Sequence, residues 1–344
     1  MRFLVLKLVL AGLLLAAVAA CGESGDSASV QDLAEDGIVF ASNRDDRFSS
    51  DIYVMSPDGS EVARLIDSDT WDLHPAWSPD RSRIAFLRLP LGEPLLGPLE
   101  GANRHEIWVW PIDGSGGVKI ADLAAEWSPE WSPDGQRIGF NSDRDGASHF
   151  YLVNADGSNL TKLANSEGGP NRPAWSPDGN RLALDVLGGI DSVDLDSSDI
   201  RSLINNGNAG APAWSPDGAR IAFHQSGGNG IGVANADGSD LHNVGSGDAR
   251  LPVWSPDGSR IAYESSGIIW VVDADGSGLA QVSSGGEGDP SFYYDLTPVW
   301  SVDGTMIAFG CRRGDFEICT VNADGSNELQ ITDNDATDMH VGWS

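Results

Sequence analysis

Basic residues are scarce in this 344-residue chain: 21 Lys and Arg stand against 51 Asp and Glu, a formal charge of −30. Phosphate binding needs a basic surface, so nucleic acid is excluded as an expected partner, and adhesion to an anionic bilayer is disfavoured for the same reason. Long apolar runs are also lacking. One lies at the N-terminus, and no second run is long enough to span a bilayer. Short catalytic signatures are missing too: neither Gly-x-Ser-x-Gly nor His-Glu-x-x-His occurs. Cysteine is limited to Cys21, Cys311 and Cys319.

The N-terminal run, MRFLVLKLVLAGLLLAAVAAC, has Arg2 and Lys7 around an apolar stretch that leads through small residues to Cys21. This is the pattern of a secretory signal. Its end, Val18-Ala19-Ala20-Cys21-Gly22, resembles a bacterial lipobox, which implies acylation of the Cys21 thiol after loss of residues 1–20. A plain signal peptide or an uncleaved anchor are the alternatives. Loss of Arg2 and Lys7 takes the formal charge from −30 to −32. Residues 21–36 are small and acidic and are expected to form a flexible tether. The expected product is an exported domain, 37–344, in the cell envelope, held to a membrane only by lipid.

What the chain has in quantity is Gly, at 42 residues, and Trp, at 12 against 5 Tyr. Trp77, Trp131, Trp175, Trp214, Trp254, Trp300 and Trp343 each precede Ser at intervals of 39 to 54 residues, the period of a propeller blade. Pro stands two positions before the first six. The doubled stretch EWSPEWSPDG at 126–135 is therefore a single unit, with Pro129 and Trp131 in register and Trp127 outside it. After each motif come two short β-type strands, RIAFLR and EIWVW in one unit, RIAYES and IIWVV in another, then an Ala-Asp-Gly-Ser turn and a third strand.

The turns have a mechanism. In Ser-Pro-Asp-Gly, Pro fixes φ, Asp suits the next position and Gly tolerates positive φ. Asp80, Asp134, Asp178, Asp217, Asp257 and Asp303 hold the first turn; Asp58, Asp113, Asp156, Asp196, Asp237, Asp275 and Asp324 hold the second. Arg81 replaces Gly in one unit and Val302 replaces Pro in another. The segment from Gly37 lacks a first strand and DMHVGWS lacks the others, so the two ends complete one sheet. The predicted fold is all-β: a seven-bladed β-propeller of four-stranded antiparallel blades, closed by pairing of the N- and C-terminal strands.

Across residues 38–344 the repeated Pro-x-Trp-Ser-Pro-Asp-Gly, Arg-Ile-Ala-Phe and Ala-Asp-Gly-Ser elements resemble the WD40-like repeat of the TolB-type β-propellers. The resemblance implies a periplasmic or surface protein acting through protein contacts. TolB itself has six blades and an extra N-terminal domain, a departure from the seven units here. An envelope or extracellular protein is the expected partner, and a monomer the expected state. The alternative is a propeller enzyme, a lyase or hydrolase acting on envelope saccharides or peptides. Oligogalacturonate lyases share this fold and use a His-rich metal centre, and no closely spaced His pair occurs in the sequence.

All length variation falls on the face opposite the Asp turns, at 41–51, 87–106 and 283–297, the usual place for binding. Leu95, Leu96, Leu99, Phe292, Tyr293 and Tyr294 lie in these loops. Five positions before the repeat Trp stand Asp72, Glu126, Asp295 and Asp338, in four consecutive blades. His74 and His340 occupy equivalent positions, and Glu130 replaces a small residue beside Trp131. Together they are a candidate ligand site at the channel mouth. No cofactor is expected unless a divalent cation such as Ca²⁺ binds there. The other reading of the acids is repeat grammar, with Asp bonding local backbone. For Cys311 and Cys319, pairing Phe309 with Ile318 sends the thiols to opposite faces, while a bulge permits a disulfide; both outcomes stay open.

Overall fold

The computed structural model describes residues 29–343 apart from 90–104, 124–128, 164–172, 187–188, 246, 286–296 and 313–315. It contains seven four-stranded antiparallel sheets. Blade 1 pairs the C-terminal strand Asp338–Trp343 with Ile38–Ser42, followed by Asp51–Met55 and Val62–Ile66. Blade 2 runs Trp71–Trp77, Arg83–Leu89, His105–Pro111 and Val118–Leu123. Blades 3 to 7 begin with inner strands Glu130–Trp131, Ala174–Trp175, Ala209–Trp214, Ala249–Trp254 and Val299–Trp300. The closing pairing, Ile38 with Trp343 and Ser42 with Asp338, joins the two incomplete sequence units as expected.

The first turn is held by its own serine. Ser78 donates to Asp80 at 2.6 Å and accepts from the Arg83 amide at 3.0 Å, while Asp80 accepts from the Ser82 amide at 3.1 Å. The same set recurs at Ser132, Ser176, Ser215, Ser255 and Ser301. In blade 4 the second turn is longer: Asp194, not Asp196, accepts from the Ser197 amide at 2.8 Å. The Pro two residues before Trp also gains a reason. In blades 2, 5 and 6 the inner strand bulges there, with His74, Ala211 and Leu251 at φ 52°, 48° and 55°, so Pro75, Pro212 and Pro252 sit where no ladder amide is needed.

Blades are stapled to one another by arginine. Arg83, Arg137, Arg181, Arg220 and Arg260 begin the second strands of blades 2 to 6, and each lies 4.5–5.1 Å over the Trp ring of the following blade. Four of them also donate to a turn-glycine carbonyl there, as Arg260 does to Gly304 at 2.9 Å. The corresponding positions in blades 7 and 1 are Met306 and Gly37, so both seams flanking the closing blade lack this staple.

At one of those seams the N-terminal segment takes over, and the expected flexible tether is corrected for its last residues. Ser29 caps a helical turn, Val30–Leu33, through a capping box with Asp32. Leu33 is buried with Val39, Val54 and Ile84. Burial of Leu33 and the cap outweigh a composition that reads as disordered.

Blade 7 holds the disulfide: Cys311 and Cys319 are bonded, with Cα atoms 5.8 Å apart. Phe309 pairs with Cys319 and Gly310 with Ile318, one residue away from the register assumed above. That slip returns both thiols to one face, because side chains alternate along a strand.

Candidate functional site

Asp72 and Asp338 do sit at equivalent positions of neighbouring inner strands, both fully buried, but each is taken up inside its own blade. Asp72 accepts from Arg88 Nε and Nη2, each at 2.7 Å, and from the Ser68 and Thr70 hydroxyls. Asp338 accepts from Arg44 at 2.9 Å and from Asn334 at 2.9 Å. Burial raises the proton affinity of Asp72, and the forked contact from Arg88 opposes it. These two carboxylates tie the start of an inner strand to the end of the next, a structural role like that of the repeat-grammar reading, but through side-chain donors in place of the local backbone. Glu126 and Asp295, like Cys21, Leu95, Leu96, Leu99 and Phe292 to Tyr294, lie outside the described residues.

His74 and His340 are brought together. Their ring centroids are 3.6 Å apart, with 38° between planes. Both occupy the left-handed region, at φ 52° and 57°, where side chains rarely sit without a surrounding structure that enforces it. The bulge in each inner strand creates that conformation and swings the two imidazoles toward each other across the seam between blades 1 and 2. Sequence spacing hides this pair, since 266 residues separate its members. Glu130 is on the next inner strand, half-buried and paired in register with Gly139. Among the described residues, no three His, Cys, Asp or Glu side chains are grouped to hold a metal ion.

A second constellation was not anticipated. The fifth residue of the second strand is Asp185, His224 and Glu264 in blades 4, 5 and 6. Burial pushes Asp185 up to about 6, against one backbone hydrogen bond from Ala211. Burial lowers His224, with Arg250 adding to the effect, and raises Glu264, which accepts from the Gly267 amide at 2.6 Å. In these blades the position five before Trp is Pro170, Ala209 or Ala249, so the buried acid of blades 1 and 2 is missing. The signal was available: RLALDV, RIAFHQ and RIAYES align with a titratable residue at one shared position.

On the loop-rich face, Phe48 is 83% exposed. Its loop is anchored by Arg44, which stacks on Phe40 and Tyr53 at 4.9 and 4.8 Å, and by Tyr53 donating to Asp45 at 2.7 Å. Blade 3 repeats the device with Arg144, Phe140, Tyr151 and Asp145. The stretch at 142–146, which resembles part of a calcium loop, is thus closed by its own arginine.

Comparison with known proteins places this geometry in context. Residues 190–344 match the family described as TolB beta propeller domain. A protein named TolB homolog from Chlorobium luteolum (strain DSM 273 / BCRC 81028 / 2530) is 31% identical over 149 residues, 42% of this chain and 30% of that protein. The chain thus matches less than a third of that relative's length. Among solved structures, TolB from Acinetobacter baumannii superposes with a TM-score of 0.58 at 16% identity, covering 90% of this chain and 67% of the other. An oligogalacturonate lyase in complex with manganese gives 0.59 at 15%, covering 87% and 85%. At these identities the structural likeness is one of fold.

Proposed function

We propose that this TolB-type β-propeller is an extracytoplasmic protein of the cell envelope, tethered to a membrane by a lipid on Cys21, and that it binds a protein partner through its loop-rich face. The observation that carries the binding reading is the asymmetry of the disc. One face is a ring of near-identical Ser-Asp turns, while the other carries Phe48, 83% exposed on an anchored loop. A large aromatic held out on a braced loop is the kind of anchor that dominates protein interfaces. TolB homologues lend support through their place in the envelope. The test is a photo-crosslinking residue at position 48 and, separately, at Glu61 on the turn face, in cells. A discrete adduct from position 48 and none from position 61 is expected; adducts from 61 alone would overturn the assignment of the face. Cys21→Ser should release the protein from membranes, and unchanged retention removes the tether.

The His74–His340 pair favours a second reading, a channel site for a divalent cation or small envelope ligand. Titration with Ca²⁺ and Mn²⁺ of the wild type, His74→Ala and Glu130→Ala tests it. Equal affinity in all three, or no binding, removes these residues from such a site.

A further inference from the structure

The chain joins the ring on one particular face. Gln31 donates to the Ile112 carbonyl in the outer turn of blade 2 at 3.3 Å, and Arg81, in the inner turn of that blade, donates to the Glu35 carbonyl. Trp343, at the turn end of the closing strand, donates to Asp36 at 3.0 Å. Gly37 follows so closely packed that a Cβ there would meet the Leu33 carbonyl at 2.0 Å. Residues 29–37 are therefore fixed on the turn face, over the seam between blades 1 and 2.

We propose that this seat orients the protein, with the turn face toward the membrane and the loop face turned away from it. The proposal rests on the lipid anchor at Cys21. Eight peptide links separate Cys21 from Ser29, a reach of at most about 28 Å. Inner strands of up to seven residues make the disc about 20 Å thick, and four strands make a blade about 15 Å wide. A bilayer lying against the loop face would require the chain to run outward to the rim and then through the whole thickness. Gln31 already lies beside the outer turn of blade 2, so that path is the thickness plus about one strand spacing, about 25 Å, which uses nearly the whole reach before the height of the loops is added. The turn face and the adjoining rim are within reach.

Charge then sets the distance. Hydrogen bonds from Ser and backbone amides hold most of the turn aspartates below the usual carboxylate range, Asp58 and Asp257 down to about 2. The face nearest the lipid is consequently a ring of permanent anions. Repulsion from anionic headgroups acts over about 8 Å at physiological salt. The disc stands off on its tether instead of adhering, and the loop face remains open to a partner.

Because Cys311 and Cys319 are bonded to each other and Cys21 would be acylated, one added cysteine can be labelled selectively. Phe48→Cys reports the loop face and Glu61→Cys the turn face, both in blade 1. The full acylated chain is bound to vesicles of phosphatidylcholine and phosphatidylglycerol bearing an acceptor dye on the headgroups. Energy transfer should be at least about twofold greater from position 61 than from position 48, given a disc about 20 Å thick. Raising salt from roughly 0.05 to roughly 0.5 M should increase transfer at position 61 by shortening the screening length. Inserting about 20 Gly and Ser residues after Gly22 should erase the contrast. Equal transfer, or more from position 48, overturns the orientation while leaving the anchor intact. Vesicle binding that survives Cys21→Ser overturns the anchor, and the orientation with it.

Discussion

Asp185 works against the chain's general chemistry. Most turn aspartates are held ionised by hydrogen bonds, and they lose stability as pH falls below about 4. Asp185 has its folded pKa raised to about 6 from 3.8 by burial, with one amide to offset it. The sign is the reverse: the folded state is favoured most below about 4, where the carboxyl is neutral in both states. That advantage is lost as pH rises to about 6 and stays lost above it. Asp185→Asn keeps an acceptor for Ala211 and removes the ionisation. The variant should be more stable than wild type by about 1–2 kcal/mol at pH 7.5, solvent screening of a half-buried group reducing the full effect, with no difference at pH 4. Urea denaturation at both pH values measures this, and a gain that does not depend on pH would refute the account. His74 and His340 belong to the same scale. Their positions in the repeat were readable, but their contact was not, because it depends on a bulge that the Pro permits and that no local pattern announces.

The arginine staple is the unit that makes separate blades into a ring. Arg260 combines stacking on Trp300 with a hydrogen bond to Gly304. Arg260→Ala should cost about 1–2 kcal/mol. Arg260→Lys should not restore it, since lysine lacks the planar fork. Placing the staple where it is missing, as Met306→Arg beneath Trp343, should add about 0.5–1 kcal/mol, and a destabilised variant would mean that the seam is closed by other packing. Removing residues 22–36 withdraws Leu33 from the opposite seam and should cost about 1.5–3 kcal/mol in thermal or urea unfolding. Turns and strands were legible because Ser-Pro-Asp-Gly acts within six residues. The staple was not, although its Arg recurs visibly, because each one acts 33 to 52 residues away on the next blade. The disulfide was left open by one step of register: Gly310, not Phe309, faces Ile318.

Blade number and closure were legible from counting alone, since the two partial units at the ends sum to one sheet and the terminal strands pair as expected. Residues 29–36 were read as part of the tether because composition says nothing about a seam that needs filling. Deleting 337–344 removes Trp343 and the buried Asp338, strands Arg44, and leaves the edge of Ile38–Ser42 open. We expect a broad, non-cooperative melt with a loss greater than that of an ordinary core truncation. An unchanged melting curve would mean that the ring holds without its clasp.

The shared blade also has a consequence for biogenesis. A chain made or threaded across a membrane from its N-terminus holds an incomplete sheet, Ile38–Ser42 with one bare side, until its final six-residue strand arrives. Six blades can form in order from neighbours already present. The first cannot finish before the last residues emerge. Prematurely terminated copies thus carry an exposed edge that complete ones lack, a difference on which proteolytic quality control can act.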